Sequence, residues 1–363
     1  MKILRSKITF VVLVVILVFV AVCLAGSWII RGKIEAEFSR LNEQKEPYLI
    51  THLVSMRQPQ SFPFHFYSIS RADNAAPLYS AAMELADRST IDMSGQKNPA
   101  AFYRENEKEI RFIIKKEHLI FELLAMGFSL KECQYDLHYE DGFNMRVPNY
   151  LNARYIVQLS AMKAYAEMDD GMPEEAARTL AYALKFTRTL QPEIFFINHA
   201  MMTSLRNILA EPLKVLTKSG YNGKYSPLQE EVARINRDGG KEITRALRGE
   251  RALAIKTFDD ILANKNDMIK NMEIEKPFAL YLELYLPGKP FLLFDELFCI
   301  RAWGKVISAV KNDDIPSLPA HSIPGACIIT SVIMPNVSKL INQDKEMREK
   351  YREIEKIFPG NRP

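Results

Sequence analysis

A chain of 363 residues with 48% hydrophobic content can bury one large core or two ordinary ones, which excludes a disordered tail. The formal net charge is +4, and Lys2, Arg5 and Lys7 all precede the first apolar run, so the remainder is near neutral and gives no electrostatic footprint for nucleic acid. Four cysteines, at 23, 133, 299 and 327, form no CxxC and stand near no histidine pair, which argues against a zinc site or a redox motif and leaves buried thiols or one pair among the outer three.

The run ITFVVLVVILVFVAVCLAGSWII covers Ile8 to Ile30 without a charge. Its length, at a rise of about 1.5 Å per residue, is enough to cross a hydrocarbon layer of about 30 Å. The expectation is a single-pass signal anchor in the inner (cytoplasmic) membrane, with residues 1–7 cytoplasmic, 8–30 transmembrane and the body periplasmic, because positive charge precedes the span. A cleaved signal peptide is the rival, since Cys23 and Ala25 are small, but its apolar core is normally about 7–15 residues. A lipid-attachment reading at Cys23 is disfavoured by the bulk of Val22, and Trp28 suits an interfacial anchor.

Beyond the span, Ile34, Phe38 and Leu41 keep helical spacing as far as Pro47, which predicts a juxtamembrane stalk over 31–60. The stretch RQPQSFPFHFYSI reads as an extended segment. Pro77 opens a helix over 78–87, and Pro99 opens one running toward Met126 and stopped by Gly127. QYDLHYEDGFNMRV, residues 134–147, alternates around Asp141-Gly142 and predicts a small β-hairpin.

Leu151, Tyr155, Leu159, Met162 and Ala166 then mark one face of a helix ending near Asp170. Gly171 stops it, and Pro173, Glu174 and Glu175 start the next. Further helices are expected over 193–219, over 227–236 after a Ser226 cap, over 241–264 after a break at Gly239-Gly240, and over 291–310. The nine-residue apolar run from Ala326 to Met334 is too short to span a bilayer and reads as a buried element. Leu340, Met347, Tyr351, Ile354 and Phe358 fall at intervals of 7, 4, 3 and 4, a narrow seam expected to dock a terminal helix on its own body. The expected fold class is mainly α: a transmembrane helix, an α-helical extracytoplasmic domain over 61–337 with one small β-hairpin, and a charged C-terminal helix over 338–363.

Within that body Ala164, Gly171, Ala176 and Ala183 place small residues and a turn glycine as a tetratricopeptide (TPR)-like helical hairpin does, with Leu180 at the bulky position. A step of about 34 residues from Gly171 lands on Leu205 inside the next helix, so a single hairpin rather than an array is expected. The segment CQYDLHYEDGFNMRVPNYLNARYIVQLSAMKAYAEMDDGMPEEAARTLAYALKFTRTLQPEIFFINHAM, followed by LRGERALAI, resembles a group of uncharacterised, membrane-anchored helical proteins of planctomycete-type bacteria. The likeness covers residues 117–262. It implies an anchored helical architecture and carries no activity. Members of that group continue into a pseudopilin-like segment, which the ending KIFPGNRP lacks.

Polar residues on apolar faces supply the candidate site. Glu250 falls in the stripe of Ile243, Leu247, Ala254, Phe258 and Ile261, and a carboxylate there must be paired, protonated or wet. Asn198 falls among Ile194, Met201, Leu205 and Ile208, with His199 and Arg206 at the border, and Arg154 edges the helix before Gly171. One reading is a buried ion pair of Glu250 with Arg154 or Arg206, bonded to Asn198, that fixes helix register. The other makes Glu250 a catalytic acid, or Asn198, Arg154 and Arg206 ligand-binding residues. Six histidines show no HExxH spacing, and no nucleophile-elbow or phosphate-loop motif occurs, so neither metal nor cofactor is expected. The expected role is a non-enzymatic envelope scaffold or interaction protein with a protein partner. The alternatives are an envelope hydrolase or a small-ligand module using Glu250.

Overall fold

Helix forms wherever apolar residues recur at three and four positions, and the boundaries are set by proline, glycine and asparagine. The computed structural model describes residues 2–55, 73–86, 99–135, 137–138, 147–190, 196–219, 221, 225–263, 289–312, 314, 327, 330, 334 and 337–358. Among them are twelve α-helices: α1 (Lys2–Glu43), α2 (Ile50–Ser55), α3 (Ala76–Leu85), α4 (Pro99–Glu105), α5 (Glu107–Lys116), α6 (His118–Ser129), α7 (Tyr150–Asp169), α8 (Pro173–Thr189), α9 (Phe196–Lys218), α10 (Ser226–Ala263), α11 (Lys289–Lys311) and α12 (Val337–Ile357). The chain divides into a smaller unit, Met1–Met56 with Leu247–Lys339, and a larger one, Arg57–Ala246 with Leu340–Pro363.

In the smaller unit α1 is the one helix among the described residues long and apolar enough to cross a membrane. Its C-terminal part, expected as a stalk, is packed against another helix. Ile34 and Leu41 are buried against Leu293, Leu297 and Ile300 of α11, and each such leucine or isoleucine contributes about 1.5–3 kcal/mol on burial. Gly26 lies against Pro290, Arg301 donates to Glu37 at 2.7 Å, and Gly304 lies against Arg40. Every pair has the same offset in residue number, 264, so α1 and α11 run parallel without slipping. α1 closes in a Schellman turn: the Glu46 N–H donates to the Leu41 carbonyl at 2.8 Å, with Lys45 left-handed at φ 53°.

The larger unit is centred on α7 and α8, an antiparallel hairpin. The turn repeats the Schellman geometry, with Gly171 at φ 72° and the Met172 N–H donating to the Glu167 carbonyl at 2.8 Å. Ala164, Ala176 and Ala183 are fully buried, which lets the two backbones approach, and α3, α6 and α9 complete the packing. The C-terminal seam behaves as expected, since Met347, Tyr351, Ile354 and Phe358 join this core.

Three expectations are corrected. The helix predicted from Pro99 to Met126 is three helices, because the Asn106 side chain donates to the Phe102 carbonyl at 2.9 Å and closes α4, and the chain breaks again at Glu117. Gly127 stops nothing: it lies inside α6 where the Tyr79 ring passes 2.5 Å from the position of a β-carbon. The break at Gly239-Gly240 is absent and α10 runs through it, with Arg348 stacked so closely on Gly239 that a β-carbon there would meet its Cδ at 2.5 Å. The β-hairpin predicted over 134–147 lies mostly outside the described residues. Gln134, Tyr135, Leu137, His138 and Val147 are described and belong to no strand, and Glu132 makes only an isolated bridge to Asn74. The extended segment after residue 56 also lies outside them.

Candidate functional site

The polar residues singled out by their helical faces fall in both units. Asn198 on α9 is fully buried and accepts a hydrogen bond from the Tyr150 hydroxyl, while its amide nitrogen has no partner among the described residues. Arg154 is half-buried on α7. Arg206 is 1% exposed and donates to Glu242 at 2.7 Å, the carboxylate being 4% exposed. Burial pulls the Arg206 guanidinium down, but Glu242 and, more weakly, Tyr351 and Asp344 hold it above its ordinary value. Glu250 is half-buried on α10 and belongs to the smaller unit. The acid that Arg206 takes is therefore about two turns earlier on the same helix. With a break assumed at Gly239-Gly240, Glu242 falls in a first turn, where acids are ordinary, and gives no signal. A continuous α10 puts it in mid-helix, where burial demands a partner.

Around this pair α9, the first half of α10 and α12 form a closed network. The imidazole of His199 lies 2.8 Å from an Asp344 oxygen, with the Thr203 hydroxyl at 3.4 Å, and Arg348 donates to the other oxygen at 2.8 Å. Burial pushes the Asp344 carboxyl up, and His199 and Arg348 outweigh it, so the group sits below the ordinary aspartate value. The Tyr351 hydroxyl donates to the Arg206 carbonyl at 2.9 Å, and Asn236 donates to the Tyr351 carbonyl at 3.1 Å. A hydroxyl, an imidazole and a carboxylate are the parts of a nucleophilic site. Here His199, Thr203 and Asp344 are all at most 4% exposed, and their bonds run between helices. The arrangement fixes the register of α12 against α9 and α10.

Among the described residues the larger unit has a cleft of about 270 Å³ where α6 meets α7 and α8. Phe121, Leu124 and Tyr182 give it an apolar floor; Glu122, Lys163, Glu175 and Arg178 give it charge of both signs. Lys163 is held by Glu167 and Thr179 and lies over the Phe121 ring at 5.3 Å, and Arg178 donates to Glu175 at 2.7 Å. Leu119 and Met126, seven residues apart on α6, are exposed and extend the apolar surface past Glu122. Of the cleft-lining residues the sequence drew attention only to Glu175, as a helix-start acid, because helical spacing alone does not tell a cleft-lining side chain from a core one.

In the smaller unit charge gathers at the turn that follows α1. Glu46 accepts two bonds from Arg248, at 2.8 and 2.9 Å, and one from Lys311, while Arg251 donates to the Pro47 carbonyl at 2.7 Å. Burial raises the Glu46 carboxyl, but Arg248 and Lys311 bring it down to about 2. Glu296 on α11 has the opposite fate: burial, with Asp259 adding, pushes it up to about 7 against the opposing pull of Arg31. No disulfide joins the four cysteines, and burial raises the Cys299 thiol well above its ordinary value. Among the described residues no group of three or more His, Cys, Asp or Glu is placed to hold a metal ion.

No family model matches the chain, and neither the curated proteins nor the solved structures give a match.

Proposed function

We propose that this protein is a single-pass, membrane-anchored helical scaffold that holds a partner protein through the cleft between α6 and the α7–α8 hairpin. The observation that carries the reading is the cleft itself, an apolar floor bordered by charges of both signs and continued by the exposed Leu119 and Met126. An amphipathic helix, with apolar anchors spaced over two turns and charged flanks, fits such a groove. The anchor is the apolar part of α1, residues 8–30, and the positive charge ahead of it supports a cytoplasmic N-terminus and a periplasmic body in a bacterial inner membrane. The α7–α8 pair, with its buried alanines and left-handed Gly171, supports the tetratricopeptide-like description of one hairpin. The alternative reading, a hydrolase or ligand module at Glu250, draws less support, since Glu250 is not among the residues lining the cleft.

The test is site-directed photocrosslinking of the full-length protein in its membrane. A photoreactive phenylalanine analogue replacing Tyr182 is expected to give one discrete adduct that R178E abolishes, while the same analogue at exposed Val215 gives none. Identical adducts at both positions, or none at Tyr182, would overturn the partner reading.

A further inference from the structure

The parallel register of α1 and α11 serves as a depth gauge. A residue of α11 lies level with the α1 residue 264 positions earlier, as the pairs Gly26 with Pro290, Glu37 with Arg301 and Arg40 with Gly304 require. By that rule Phe291 is level with Ser27 and Phe294 with Ile30, the last residue of the uncharged run. The first turn of α11 thus begins, at Lys289, level with Ala25 and about 7.5 Å inside the outer end of that run, five residues at a rise of about 1.5 Å.

The side chains at this level are the wrong ones for water. Phe291 is 56% exposed and Phe294 42%, while on α1 Trp28 is 79% exposed and Ile29 is exposed as well. Leu292 and Leu293, between the two phenylalanines, are buried, so α11 is apolar on both its inner and its outer side here. Apart from Lys289 at the start of α11, charge appears beyond this level, with Arg31, Lys33 and Glu35 on α1 and the buried Asp295 and Glu296 and then Arg301 on α11. Lys289 lies at the start of α11 and is exposed, with a stem long enough to carry its ammonium to the headgroups. Aromatic residues at the level where hydrocarbon gives way to headgroups are the usual interfacial anchors.

We infer that the first turn of α11 is a second membrane contact, with Phe291 and Phe294 seated in the outer boundary between acyl chains and headgroups beside Trp28. The occupant of this surface is lipid, because the surface is continuous with the lipid-facing side of α1. The inference rests on reading α1 as a retained span. Its consequence is that the smaller unit is held to the bilayer at two points, one on each of two parallel helices.

The experiment uses the full chain in liposomes containing phospholipids brominated near the headgroup end of the acyl chain. Trp28 in the wild type reports the span. F291W and F294W, each in a W28F background, report α11, and the buried Trp303 serves as an unquenched reference in all of them. The expected result is loss of most of the Trp28 emission and of most of the emission added by F291W or F294W. Quenching of Trp28 with neither new indole quenched would overturn the second contact and leave the span standing, pointing to a second copy or a protein partner over α11. If Trp28 is not quenched either, the retained span fails and the inference falls with it.

Discussion

Two of the helix pairs, α7–α8 and α1–α11, are built on opposite plans. The α7–α8 hairpin is antiparallel, joined by three residues, and closed by alanines at its centre. The α1–α11 pair is parallel, brought together from segments 264 residues apart, and closed by leucine and isoleucine with ion pairs. Local connection fixes the first, with Lys163 and Glu167 of α7 bonded across to Thr179 of α8. The second has no short loop to set its register, and the ion pairs of Arg301 with Glu37 and Lys311 with Glu46 tie α11 to α1 and the turn that follows it. One pair is closed by small side chains around a tight turn; the other by larger apolar side chains and ion pairs between segments distant in sequence.

Each plan fails in its own way when altered. The largest effect is expected where the larger unit does use charge. R206A leaves Glu242 buried without its partner and should destabilise by about 3–5 kcal/mol, whereas R206M/E242L should recover most of the loss, as replacement of a buried pair by apolar side chains does. Urea unfolding followed by helical signal distinguishes the two. If the double variant is as unstable as the single, the pair contributes more than register.

In the parallel pair, L297A removes a buried side chain facing Ile34 and Leu41 and should cost about 2–5 kcal/mol. The loss should be read as protease sensitivity of the smaller unit, with the hairpin unchanged. G127A tests close approach in the larger unit. Its β-carbon meets the Tyr79 ring at 2.5 Å, so overpacking of about 1–3 kcal/mol should exceed the propensity gain of about 1 kcal/mol. A neutral result would mean that the ring moves aside.

Acid and alkali should separate two carboxylates of the smaller unit. Glu46 is held near about 2 against the ordinary glutamate value of 4.5, so it binds fewer protons folded than unfolded; its contribution is complete above 4.5 and is lost as pH falls toward 2. Glu296 is raised from 4.5 to about 7, so the sign reverses: stability is lost as pH rises through that interval, where the unfolded chain ionises first. E46Q should flatten the acid limb of the stability profile and E296Q the limb between 4.5 and 7. The smallest effect compares one motif in two settings. Lys45 and Gly171 occupy the same left-handed turn position, so K45G should stabilise and G171A destabilise, each by about 1 kcal/mol.

Much of the helix order was legible because apolar spacing and Pro/Gly punctuation act locally. α7, α8, α9 and α11 lie within a few residues of their predicted bounds, and the seam through Met347, Tyr351 and Phe358 docks as its spacing requires. What local rules missed came from distant neighbours. Gly127 and Gly239 read as stops, yet each is small because Tyr79 or Arg348 lies against it. The same error hid Glu242, since a false helix start makes a mid-helix acid look ordinary. The parallel partner of α1 was invisible for a different reason: nothing in the spacing of Ile34, Phe38 and Leu41 says which distant helix will cover them.

The central claim is that α1 is a retained anchor built into the folded body. It is tested most directly by extracting membranes that carry the full-length protein with alkaline carbonate and sequencing the N-terminus of the retained chain. The account predicts that the protein stays with the bilayer and begins at Met1 or Lys2. A mature chain that begins beyond Ala25 and washes into the supernatant would contradict it.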